Sequence, residues 1–137
     1  MFRTTKITAA TLTFLAVTTL GIGTAFAGAH WGMEVDIDLS ARTAEGTMGT
    51  ARASADGTQY IGCTVRATTG PDVVRVTCQA RDAQGANLVC SSTRPVMIQA
   101  AAALQANSHL YFRAAPSTSE CMTLHVDNFS YNDLVTP

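Results

Sequence analysis

The chain has 137 residues, nine basic and ten acidic side chains, and a formal net charge of −1. Loss of the amino-terminal leader described next would remove Arg3 and Lys6 and no acid, leaving seven arginines, no lysine and ten acids, a net charge near −3. Scattered arginines on a weakly acidic chain lack the clustered basic footprint of nucleic-acid binding, which excludes that class.

The amino end reads as a secretory leader over residues 1–27. Arg3 and Lys6 precede a run without charge from Ile7 to Phe26, and Ala25-Phe26-Ala27 has the small-x-small pattern at which such leaders are cut. Cleavage before Gly28 is expected; Ala27-Gly28-Ala29 offers a second site, before His30. No later apolar run reaches spanning length, so no membrane span is expected once the leader is gone. Residues 28–137 are then one domain of about 110 residues, long enough for one hydrophobic core and too short for two.

Trp31, Met33, Val35, Ile37 and Leu39 alternate with Gly32, Glu34, Asp36, Asp38 and Ser40, a period of two that predicts a strand with one buried face. Residues 41–58 are small and polar and read as a loop with at most a weak strand. Ile61, Cys63 and Val65 share one face of a strand, and Gly70-Pro71-Asp72 makes a turn. Val74, Val76, Cys78 and Ala80 share one face of the next strand. Asp82-Ala83-Gln84-Gly85 then reads as a turn with Gly85 in the left-handed position, leading to Leu88 and Cys90.

After Cys90 the period changes. Ser92 or Thr93 can cap a helix, Pro95 suits its first turn, and Met97, Ala100, Ala101 and Leu104 keep helical spacing up to Asn107. Two strands follow, with Leu110 and Phe112 facing the core from the first and Met122, Leu124 and Val126 from the second. The order strands, helix, strands predicts an α+β fold, an antiparallel sheet of about five to seven strands packed on one helix. The alternative is an all-β sandwich with a short helix.

Four cysteines in an exported chain of this size predict two disulfides. Pairing about the first turn sets Cys63 opposite Cys78, and pairing about the second sets Cys78 near Cys90. Cys63–Cys78 with Cys90–Cys121 is the favoured set, and Cys78–Cys90 with Cys63–Cys121 its competitor. The favoured set requires Cys121 to sit at a bulge or in the preceding loop, because plain alternation turns it outward.

The segments Tyr60-Ile61-Gly62-Cys63, Cys78 to Gly85, Cys90, Leu110-Tyr111-Phe112 and Cys121 resemble a group of small exported four-cysteine bacterial proteins. That resemblance implies export and a single fold and assigns no activity.

All three histidines enter the sharpest chemical constellation. Setting Leu110 against Leu124 and Phe112 against Met122 places His109 opposite His125 on the outer face, with Asp127 beside His125. Opposed side chains of that kind can share a metal ion. Cleavage before Gly28 would give Gly28-Ala29-His30, whose amine, amides and imidazole can wrap Cu(II) or Ni(II) in a square plane. Cleavage before His30 gives a terminal histidine that resembles the copper sites of lytic polysaccharide monooxygenases and periplasmic copper carriers. His30, His109, His125 and Asp127 are thus the candidate copper ligands. Glu34, Asp36 and Asp38 form an acidic ladder that suits Ca2+ if other oxygens join it.

No Gly-x-Ser-x-Gly elbow or His-Glu-x-x-His helix is present, so no hydrolase site can be assembled from motifs. Cysteine pairs 15 and 31 residues apart resemble the layout of the bacterial subtilisin-inhibitor family, which implies that Ser91 to Pro95 is a rigid loop presenting Arg94. A helix cap over the same residues excludes that arrangement. The sequence therefore points to a secreted or periplasmic, non-enzymatic binding domain with an unknown protein or glycan partner and no required cofactor. A copper-binding protein is the second reading, and a secreted protease inhibitor or hydrolase the third.

Overall fold

In the computed structural model, which describes residues 31–132, alternation builds the middle of the chain as expected; the leader, both cleavage sites and His30 lie outside those residues. Strands β1 (Asp36–Asp38) and β2 (Thr43–Thr47) precede helix α1 (Met48–Ala53). Then come β3 (Tyr60–Thr69), β4 (Asp72–Arg81) and β5 (Asn87–Ser92), helix α2 (Pro95–Ala102), β6 (His109–Ala114), β7 (Cys121–Asp127) and a short 3-10 turn (Ser130–Asn132). The fold is α+β. Among the described residues, seven strands form two antiparallel sheets, in the orders β1-β2-β6-β7 and β3-β4-β5, where one sheet was expected, and α1 is a second helix.

Ile61, Val76, Cys78, Ala80, Leu88 and Cys90 from one sheet meet Ala44, Leu110, Phe112, Ala114 and Cys121 from the other in a single core, with Met97 and Ala101 of α2. Both disulfides of the favoured set are present. Cys63–Cys78 joins directly opposed positions of β3 and β4, and Cys90–Cys121 joins one sheet to the other across a Cα separation of 5.0 Å. A bulge between Arg113 and Ala114 turns Cys121 inward, where it is 1% exposed, and leaves Met122 46% exposed instead of in the core. Gly85 occupies the left-handed region at φ 89°, as its turn requires.

The first strand is only Asp36–Asp38, because the chain before it pairs irregularly. Met33 N–H donates to Thr47 Oγ1 at 3.1 Å, Val35 N–H donates to Gln59 Oε1 at 2.8 Å, and Trp31 N–H donates to the Tyr131 carbonyl at 2.7 Å. Residues 41–58, expected as a loop with at most a weak strand, hold the strand β2 and also the helix α1, which was not expected. A Cβ on Gly46 would meet Val35 Cα at 3.1 Å and the Glu34 carbonyl at 3.3 Å, so the glycine that weakened the strand signal admits the incoming chain.

The last hairpin pairs in a different register from the one expected. Leu110 opposes Val126 and Phe112 opposes Leu124, so His109 faces Asp127 and His125 faces Tyr111. A slip of two residues keeps His109, His125 and Asp127 on their own face, and period alone cannot detect it. At α2 the cap lies one or two residues later than expected. Pro95 is in the first turn, and the Ser92 hydroxyl accepts from Arg94 N–H at 3.2 Å.

The loop between α1 and β3 is pinned by one carboxylate. Asp56 accepts from the Ser54 hydroxyl, the Gln59 side-chain amide and the backbone N–H groups of Thr58 and Gln59. These bonds, the Ser54 hydroxyl foremost, hold its carboxyl far below the ordinary carboxylate range. A lowered folded-state pKa contributes stability above the unfolded value, near pH 4, and that contribution fades as pH falls through the folded value. Between pH 7 and pH 3 the wild-type protein should therefore lose more stability in urea than Asp56→Asn does. Parallel curves for the two would remove Asp56 from the acid response.

Candidate functional site

On the outer face of the four-stranded sheet, alternation sets two rows of polar side chains. Thr47, His109 and Asp127 make one; Asp36, Glu45, Tyr111 and His125 make the next. The structure thus brings His109 and Asp127 together, with Nδ1 3.4 Å from Asp127 Oδ2. His125 lies diagonal to His109, and its ring packs at 5.4 Å against Tyr111. Among the described residues, no three His, Cys, Asp or Glu side chains gather around one ion position. In the acidic ladder, Asp38 accepts from Ser40 N–H, Ser40 Oγ–H and Ala41 N–H. Those bonds, led by the Ser40 hydroxyl, lower its pKa, so it serves the β1–β2 turn.

Aromatic rings cover the His109 row. Trp31 lies 5.1 Å from His109, centroid to centroid, and meets Tyr131 edge-on at 6.1 Å. Phe129 stacks on Tyr131 at 5.0 Å with 13° between the planes. Trp31 and Phe129 nevertheless remain 43% and 54% exposed. Beneath Trp31, the His109 side chain is only 11% exposed, and its Nε2 is buried with no hydrogen-bond partner. At 3.4 Å the Asp127 carboxylate lies beyond the usual hydrogen-bond distance from the ring nitrogen, so the contact is loose.

Beside Phe129 a cleft of about 250 Å3 is lined by Gln105, Asn107, Ser108, Asn128 and Ser130. Its walls are fixed by their own hydrogen bonds. The Ser108 hydroxyl accepts from Gln105 N–H at 2.7 Å and donates to Asn128 Oδ1, and Asn128 Nδ2 donates to the Ala103 carbonyl at 2.9 Å. Arg52 donates to the Ala106 carbonyl and to Asn107 Oδ1. The cleft is smaller than the usual small-molecule pocket, so it suits one ring or side group of a larger ligand.

Alternation from Trp31 to Leu39 predicts a core position for Trp31 and is silent on Phe129 and Tyr131. The spacing Phe129-Ser130-Tyr131 just beyond the last strand was the available signal. Arg94 is far from this cluster. It precedes α2 with Nε 3.7 Å from Glu120 Oε1, and Ser91 and Ser92 belong to β5, so the segment is a strand end and helix cap rather than a presenting loop. Among the described residues no helix is long and apolar enough to cross a membrane. No protein-family model, curated protein or solved structure matches the chain.

Proposed function

We propose that the chain is an exported, non-enzymatic binding domain, stapled by two disulfides, that holds a saccharide on the aromatic outer face of β6 and β7. The observation that carries this reading is the cluster of Trp31, Phe129 and Tyr131, with the Trp31 and Phe129 rings exposed, beside an amide-lined cleft. Aromatic faces pack against the C–H faces of a sugar ring, while Gln105 and Asn107 in the cleft have amide side chains of the kind that bond hydroxyls. The buried, unpartnered His109 Nε2 adds a polar atom under the Trp31 ring. The leader and the disulfides support secretion or a periplasmic location.

Trp31 is the single tryptophan of the chain, so its emission reports on this face alone. Titration with a panel of oligosaccharides should give a saturable emission change for at least one member. Phe129→Ala should weaken that binding about tenfold, which is ~1.4 kcal/mol. Emission unmoved across the whole panel would overturn the saccharide reading.

A further inference from the structure

The outward face of the β3-β4-β5 sheet has the opposite chemistry. Ile61, Val76, Cys78, Ala80, Leu88 and Cys90 turn inward, so Thr64, Arg66, Thr77, Arg75 and Arg81 turn outward. The strand positions that share this face carry no carboxylate, although the chain as a whole is acidic. Arg66 stands directly opposite Arg75. Like charges in that position repel, and an anion between them would reverse the sign of the interaction. Among the described residues the arginine–carboxylate pair is Arg94–Glu120, so the two opposed guanidiniums have no acidic partner there.

Two shallow clefts share both arginines. The one toward the hairpin tip, about 330 Å3, is completed by Thr68 and Val73, and the Thr68 hydroxyl already donates to the carbonyls of Pro71 and Val73. The other, about 340 Å3, is completed by Thr64 and Thr77, which also oppose each other. It therefore offers two guanidinium forks and two hydroxyls around one space. A carboxylate has only two oxygens to answer those donors, whereas a tetrahedral oxyanion has three or four.

We infer that the cleft bounded by Thr64, Arg66, Arg75 and Thr77 is a binding site for a phosphate-type oxyanion, separate from the aromatic face. Free phosphate and the headgroup of an anionic phospholipid carry the same chemistry. Arginine Nε–H and backbone amide shifts of the leader-free protein, titrated with inorganic phosphate against chloride at equal ionic strength, test the site. Saturable shifts are expected at Arg66, Arg75 and Thr77. Arg66→Gln and Arg75→Gln should each weaken phosphate binding at least tenfold, and Arg113→Gln, on the other sheet, should leave it unchanged. Given saturable phosphate shifts, co-sedimentation with phosphatidylglycerol-containing vesicles but not with pure phosphatidylcholine would assign the headgroup. Saturable shifts without co-sedimentation would assign a soluble phosphate. Shifts that never saturate, or that match those in chloride, overturn the site, as does unchanged affinity in correctly folded Arg66→Gln and Arg75→Gln.

Discussion

Phe112→Ala is expected to lower the unfolding free energy by about 3–5 kcal/mol, the range for truncating a buried aromatic side chain. Phe112 is fully buried in the middle of β6, between Ala44 on one side and Leu124 on the other. Neither neighbour is placed to refill the space: Ala44 is a methyl group on a strand, and Leu124 is held by the β7 ladder. Met122→Ala supplies the internal control. In the register first expected from the sequence Met122 would pack against Phe112, but the bulge leaves it 46% exposed, so its truncation should cost under about 0.5 kcal/mol. Urea unfolding of both variants checks the register directly. A Met122→Ala loss comparable to that of Phe112→Ala would place Met122 in the core and contradict the bulge.

Replacing Cys90 and Cys121 together by Ala should remove about 4 kcal/mol. Chain entropy for a loop closed over 31 residues gives most of it, between the ~3 kcal/mol of a short loop and the ~4.7 of a 100-residue one. Burial adds to it, since both cysteines are at most 1% exposed and their sulfurs leave unfilled space. The bond also has a particular place. Outside the shared core, β5 and the start of β7 are tied by this disulfide, by Ser91 N–H donating to the Ser119 carbonyl at 2.7 Å, and by the Ser92 hydroxyl donating to Glu120 at 2.7 Å. Domains of this size have only about 5–15 kcal/mol in total, so the double variant should be close to unfolding at 37 °C. Urea titration at 25 °C gives the number. A loss below 1 kcal/mol would mean that the start of β7 is anchored without the bond. Cys63–Cys78 closes 15 residues within one hairpin, and its removal should cost nearer 3 kcal/mol.

The candidate site was legible in part. His109, His125 and Asp127 were placed correctly on one outer face, because facing depends only on odd and even positions. Which of them meet was not legible: the observed pairs His109–Asp127 and Tyr111–His125 differ from the expected ones by a slip that leaves parity untouched. Trp31 was hidden for another reason. It continued a clean alternation, yet its backbone bonds to Tyr131 rather than to a neighbouring strand, and its ring ends up on the outer cluster.

The β3–β4 hairpin, the turns on either side of β4 and the helix beginning at Pro95 were determined by the sequence itself, because each follows from neighbours within about 20 residues and from local backbone chemistry; the Cys63–Cys78 pairing was favoured there over Cys78–Cys90 and is the one the structure contains. Tertiary structure alone decided that the strands divide into two sheets and that Thr43–Thr47 lies between β1 and β6. It also decided that a bulge turns Cys121 toward Cys90. These are contacts between segments far apart in the chain. A period of two says which way a residue points and is silent about what it meets.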